Sequence, residues 1–269
     1  MRAAALAIVA KRHARSVMRA VARGSGIARS LAMYYGIPFR AGRLRRFYSE
    51  FVAPGALCFD IGAHVGQRAR CFRRLGARVV LLEPQRDFAR LLELLHGRDP
   101  NVTVLRQAVG RAPGRARLLV SERTPTVTTL SREWIDDVQA DAGFHGLRWS
   151  AAEDVEVTTL AALVARYGLP QFVKIDAEGY EAEILAGLSS ALPALSFEYL
   201  PAARHVALDC IERLVALGEY RFNWSAGETH RLGSATWLDA DGIRAFVGAL
   251  TARDGSGDIY ARLRRSGPR

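Results

Sequence analysis

Five short apolar runs, at 57–62 (LCFDIG), 79–84 (VVLLEP), 101–109 (NVTVLRQAV), 171–176 (QFVKID) and 194–200 (ALSFEYL), alternate with stretches of helical spacing at 66–75, 86–96, 159–167 and 179–188. Strands that are apolar on both faces and separated by helices need cover on both sides, which a parallel α/β sheet provides. Two later runs, YRFNWS at 220–225 and GDIYARL at 257–263, read as antiparallel strands that close one edge and bring the sheet to seven. The stretch 121–153, which carries Trp134, Phe144, His145 and Trp149, shows no period and is expected to stay irregular and to build the substrate side. No internal repeat is visible, and with 49% apolar and 24% charged residues over 269 positions the composition excludes global disorder and a fibrous repeat.

The net charge of +11 suggests a binder of nucleic acid or membranes until the charges are located. Residues 1–46 hold eleven bases and no acid, so the remainder is balanced and the excess belongs to an N-terminal extension. Two units are therefore expected, a basic helical extension over 1–46 and a folded domain over 47–269. Within the extension Arg12, Arg15, Arg19 and Arg23 fall on one arc of a helix and Leu6, Val9, Val17 and Val21 on the other. Such a helix packs on the core or lies on the surface; contact with anionic lipid or nucleic acid is the functional alternative. Breaks are expected at 24–26 and 36–38, and a frayed tail at 264–269. The apolar run at 3–10 is too short to span a bilayer and is followed by KRHAR, so neither a signal peptide nor a span is expected. Cys58, Cys71 and Cys210 make no disulfide framework or zinc motif, which fits a cytoplasmic protein, with the inner membrane surface as a peripheral option.

Chemistry concentrates at the ends of the expected strands. The first ends in Asp60-Ile61-Gly62-Ala63-His64-Val65-Gly66, a turn whose glycines admit a ligand to the backbone and lead into a helix N-terminus. Such a turn alone can be a mere tight connection. Glu83, seventeen residues beyond Gly66, ends the second strand, where doubly wound folds hold the hydroxyls of a ribose. Together they point to a nucleoside-type cofactor. The dinucleotide fingerprint G-x-G-x-x-G is absent, because Ala63-His64 stands where its middle glycine admits a pyrophosphate, so S-adenosylmethionine is favoured over NAD. At the fourth strand Lys174 and Asp176 share a side, and Asp176 and Glu178 beside Gly179 sit at the expected cleft. These acids can orient an acceptor, take its proton or bind a divalent ion, whereas Glu181 and Glu183 read as acids favouring a helix start. Asp176 is the first candidate base, His64 the second and Glu198 the third. No metal site is assigned, and magnesium between Asp176, Glu178 and a later acid is the lesser option.

FDIGAHVG, LLEPQ, FVKIDAEGYEAEILAGL, SFEYL and SGDIYA together resemble the FkbM family of S-adenosylmethionine-dependent methyltransferases, over about residues 47–263. The resemblance implies a Rossmann-like class I methyltransferase fold and transfer of a methyl group to a hydroxyl, commonly of a sugar, a glycan or a secondary metabolite. By position, Asp60, Gly62, Ala63, Gly66 and Glu83 would hold the cofactor, and Gln107 and Ala108 would flank its adenine. Gln107 stands where many such enzymes have an acid, though an amide can meet both a donor and an acceptor of adenine. KIDAEG replaces the N-P-P-Y-like block of enzymes that methylate base amino groups, so nucleic acid is not the expected acceptor. An NAD-dependent oxidoreductase and a non-catalytic nucleotide-binding or membrane-docking module are the alternatives; the oligomeric state is not legible.

Overall fold

The computed structural model describes Gly24 and residues 26–32, 40–121, 124–141 and 144–264. Its ten strands are β1 (Leu57–Ile61), β2 (Arg78–Leu82), β3 (Val102–Leu105), β4 (Ala108–Val109), β5 (Gly114–Val120), β6 (Ala151–Thr158), β7 (Phe172–Ile175), β8 (Ala194–Tyr199), β9 (Tyr220–Ala226) and β10 (Gly257–Leu263). The helices are α1 (Arg40–Tyr48), α2 (Gln67–Arg74), α3 (Arg86–His96), α4 (Arg132–Gln139), α5 (Leu160–Tyr167), α6 (Glu181–Ala186), α7 (Arg204–Leu217) and α8 (Ala240–Ala249).

The main sheet has seven strands in the order β3-β2-β1-β7-β8-β10-β9, parallel from β3 to β8, with β10 antiparallel to both its neighbours. This is the expected sheet with its two closing strands. Alternation along β1 sends Phe59 and Ile61 to the side packed by α5, α6, α7 and α8, and Cys58 to the side packed by α1, α2 and α3. Five helices begin where an Ncap or first-turn residue fits the need: Ser131, Thr159 and Asp239 each accept the backbone N–H three residues on, and Asp87 and Glu181 sit in first turns.

Three expectations need correction. The run 101–109 is not one strand; it divides into β3 in the main sheet and β4 in a second, three-stranded sheet ordered β4-β6-β5. The stretch 121–153 is only partly irregular, since α4 and the start of β6 lie in it. Both β5 and β6 keep one face in water and carry Arg115, Arg117, Asp154 and Glu156, so neither forms a wholly apolar run. The break placed at 24–26 is not seen at Gly24 or Gly26, which are helical together with residues 27–32; Ser25 lies outside the described residues. Residues 1–23, 33–39 and 265–269, on which the amphipathic arc, the second break and most of the tail fall, lie outside the described residues. Leu44 of α1 is already buried beside Phe47 and Tyr48. No helix among the described residues is long and apolar enough to cross a membrane.

Candidate active site

The site forms at the carboxyl ends of β1, β2, β7 and β8, where an open α/β sheet leaves its crevice. Gly62 turns at φ 77°, and a Cβ there would overlap the carbonyl oxygen of Asp176, so only glycine lets the first turn meet the end of β7. His64 follows at φ 49° and Gly66 at φ 76°, the latter as N-cap of α2, where a Cβ would lie 2.8 Å from Leu92 Cδ2. The turn is pinned across the sheet, with Gly62 N and Ala63 N both donating to Leu82 O at 2.9 and 3.1 Å.

Glu83 is 2% exposed, and each of its carboxylate oxygens accepts one backbone N–H, from His64 and from Gln85, both at 2.9 Å. Burial pushes its carboxyl up to about 7 against the pull of these two donors. Each oxygen keeps a further lone pair for a ligand hydroxyl. The cleft it lines opens to solvent and encloses about 720 Å³ of empty space when the open mouth is included. Gln107 and Ala108 form another part of the wall, and Asp176 and Glu178 lie across from Glu83. Of the 121–153 stretch, Pro125, Thr126, Thr128, Thr129 and Leu130 reach the cleft; the sequence singles out none of them, since only the lack of period marks their segment.

A smaller polar hollow adjoins this cleft through Gly62, His64 and Asp176 and is walled by Asp60, Arg68, Lys174 and Glu228. Asp60 is buried, its Oδ2 has no hydrogen-bond partner, and burial raises its carboxyl to about 6. Arg68 Nη2 donates to both oxygens of Glu228 at 3.1 Å, while its Nε is buried without a partner. Opposite charges facing one hollow suit a zwitterion. Lys174 is 1% exposed and spends all three ammonium protons: on Asp258 Oδ1 at 2.8 Å, Asp176 Oδ2 at 3.2 Å and Ile175 O at 3.2 Å. The shared side expected for Lys174 and Asp176 is thus realised as an ion pair; Asp258 and Tyr260, whose hydroxyl donates to Asp258 at 3.3 Å, were not foreseen.

Glu178 takes φ 50°, and its carbonyl accepts Thr129 Oγ1 at 2.6 Å, which ties the segment after β7 to the 121–153 stretch. Gly179 beside it packs so closely on Trp134 that any Cβ would enter the indole ring. Oxygens of Asp176, Glu178 and Glu198 all lie within 4.8 Å of one another, a spacing that could hold a divalent cation. Burial first, and then the neighbouring carboxylates, hold Glu178 and Glu198 well above the usual carboxylate range, so this pair retains a proton that free carboxyls would lose. His64 stacks on Phe88 with centroids 4.3 Å apart, and burial lowers its pKa to about 4, so the ring is neutral at pH 7. Glu181 folds back onto Ala177 N at 2.7 Å and Glu183 pairs with Arg111 at 2.7 Å, which leaves both in the framework of α6 rather than in the cleft.

The sequence model of the methyltransferase FkbM domain matches residues 60–211, which contain the first turn, Glu83 and the Asp176–Glu198 acids. Among curated proteins none matches the chain. Solved structures similar to it include an O-methyltransferase from Bacillus cereus in complex with SAH, 13% identical, with 91% of this chain and 90% of that one covered and a TM-score of 0.45. A TehB-like SAM-dependent methyltransferase from Corynebacterium glutamicum is 10% identical, with 88% and 94% covered and a TM-score of 0.45. A precorrin-6y C5,15-methyltransferase from Geobacter metallireducens is 15% identical, with 83% and 87% covered and a TM-score of 0.39.

Proposed function

The chain belongs to the FkbM methyltransferase family, and from that premise we propose that it moves a methyl group from S-adenosylmethionine to a hydroxyl of a sugar, a glycan or a small secondary metabolite. The observation that carries the cofactor assignment is Glu83, a buried carboxylate whose two oxygens are oriented by backbone N–H groups while it borders an open cleft. That geometry fits a ribose diol. Gln107 and Ala108 would border the adenine, and the loop 62–66 together with Asp60 and Arg68 would take the zwitterionic amino-acid end.

Bound S-adenosylmethionine supplies a methyl carbon already activated by its sulfonium. The chain's contribution is then to align the acceptor oxygen, to keep water out and to receive one proton. Asp176, its carboxylate fixed at Oδ2 by Lys174, is suited to orient the acceptor hydroxyl. Glu178 and Glu198, held well above the usual carboxylate range by burial first and by neighbouring carboxylates after it, stand within 4.8 Å of Asp176 and are the further candidates to receive the proton. His64 supports Glu83 through its backbone N–H, and its low pKa makes it the weaker base.

The test is methyl transfer from isotopically labelled S-adenosylmethionine to a panel of hydroxylated glycans and metabolites, with matched primary amines as controls. Label on a hydroxyl oxygen, lost in Glu178→Gln while adenosylhomocysteine still binds, supports the reading. Label on amines, or calorimetric binding of NAD in place of adenosylhomocysteine, overturns it.

A further inference from the structure

The two sides of the main sheet differ sharply in charge. Beyond Arg40, helices α1, α2 and α3 carry nine arginines against Asp87 and Glu93. Helices α5 to α8, on the other side, carry four arginines against five acids, of which Glu181 is buried. Helical period decides where the arginines point. With Phe47, Phe72 and Leu92 turned into the core, the outward stripes are Arg43 and Arg46 on α1, Arg70 and Arg74 on α2, and Arg90 and Leu94 on α3, all exposed.

These stripes form one surface. α1 packs against α2, Gly66 at the head of α2 lies against Leu92 and His96 of α3, and the inward side chains of all three helices share one core cluster. Among the described residues Arg43, Arg45, Arg46, Arg74 and Arg90 pair with no carboxylate, whereas on the same side Arg73 is held by Asp99 and Arg68 by Glu228. Within this cationic field two leucines stand in solvent, Leu94 at 81% exposure and Leu95 at 50%.

We propose that the outer face of α1, α2 and α3 is a docking surface for an anionic lipid bilayer. It lies on the folded domain, and so differs from any contact made by the residues preceding Gly24. Unpaired arginines meet lipid phosphates, and the leucines enter the interfacial zone; this is the chemistry of a peripheral membrane face. A single-stranded nucleic acid would call for aromatic rings on which bases stack, and among the described residues none of the exposed large apolar side chains is aromatic. The near balance of charge on the opposite side adds to the orientation, since an anionic leaflet then attracts only one face of the sheet.

Each arginine brought to an anionic surface is worth about fivefold in partition, so removing three should weaken binding about a hundredfold. The experiment is co-sedimentation of the full chain with vesicles of phosphatidylcholine alone and with about one-third phosphatidylglycerol, a composition that supplies the negative surface potential. The expected result is binding only to the anionic vesicles, weakened about a hundredfold by Arg43→Ala/Arg46→Ala/Arg74→Ala, further weakened by Leu94→Ser, and changed by less than about twofold by Arg115→Ala/Arg117→Ala/Arg166→Ala. All these side chains are exposed, so thermal melting should be unaltered and the variants remain comparable. Equal binding to both vesicles, equal weakening by the two triple variants, or an unaffected first triple would overturn the proposal. Tighter binding to single-stranded RNA with the same arginine dependence would also overturn it and assign the face to nucleic acid.

Discussion

Glu83→Gln, read against pH, tests the heart of the site. Burial holds the Glu83 carboxyl at about 7, and the ribose hydroxyls need an ionised acceptor. In the free protein about one Glu83 in eleven is ionised at pH 6 and about ten in eleven at pH 8, a tenfold difference worth about 1.4 kcal/mol. Hydroxyl donors favour the ionised form, so the pKa falls on binding; affinity for adenosylhomocysteine should therefore climb about tenfold from pH 6 to pH 8 and then level. Asp60, raised to about 6, is already about half ionised at pH 6 and so adds no more than about twofold across that window.

Glutamine preserves the shape but turns an N–H₂ toward one of the two backbone donors, from His64 or Gln85, that now face carboxylate oxygens. That unmet donor costs folding stability, while the ribose hydroxyls exchange a charged acceptor for a neutral one, a loss of about 1.5–3 kcal/mol, so the variant should bind tenfold to a hundredfold more weakly at pH 8. It should also lose the slope between pH 6 and pH 8. Isothermal calorimetry with adenosylhomocysteine across that range reads both numbers. A wild-type affinity flat in pH, or a variant that keeps the tenfold slope, would refute the assignment of Glu83 to the ribose and pass the titration to Glu178, Glu181 or Glu198.

Gly62→Ala forces a Cβ onto the Asp176 carbonyl at a φ of 77°, and should abolish adenosylhomocysteine binding and lower the melting temperature; an alanine variant with native affinity would show that the turn does not approach β7. Lys174→Met strands Asp258, 11% exposed in its side chain, and should cost about 3–5 kcal/mol in urea denaturation, with part regained when Asp258→Asn is added; equal stability of the single and double variants would count against the buried pair. Asp60, Glu83 and Glu181 have folded pKa values of about 6, 7 and 7, above their unfolded ones, so the folded state binds the extra protons and stability falls as pH rises from about 4.5 to 7. His64, lowered to about 4, opposes this only up to about pH 6.5, so calorimetric melting should show a falling melting temperature from pH 6.5 to 7.5, and a rising one would contradict the burial of these acids.

What sequence revealed and what it hid follow from the range of the interactions concerned. Asp60, Gly62, Gly66 and Glu83 were legible because their demands are local: a positive φ, a close backbone approach, an acid closing a strand. The main sheet was legible because burial on both faces leaves an uninterrupted apolar run, while β5 and β6, with charges on their wet faces, left none. Lys174 and Asp258 lie 84 residues apart and meet only through the β7-β8-β10 pairing, so no spacing rule announces them. Thr129 is likewise tied to Glu178 by a bond across 49 residues, and only the assembled sheet brings that segment to the cleft.

The same acids make a further demand on the donor. Glu178 and Glu198 keep their proton because burial and neighbouring carboxylates oppose ionisation, and Lys174, already spent on Asp176 and Asp258, relieves them only in part. S-adenosylmethionine carries a sulfonium charge that adenosylhomocysteine lacks. A cation brought to the pair lowers its pKa, so binding of the donor at pH 7 should release protons that binding of the product does not. Calorimetry in two buffers of different ionisation enthalpy gives the proton count for each ligand, and the contribution from Glu83 is common to both and cancels. The donor should release more protons than the product, and the difference should collapse in Glu178→Gln. Equal release by donor and product would put the sulfonium away from Glu178 and Glu198, and the acceptor's proton would then have to go to Asp176.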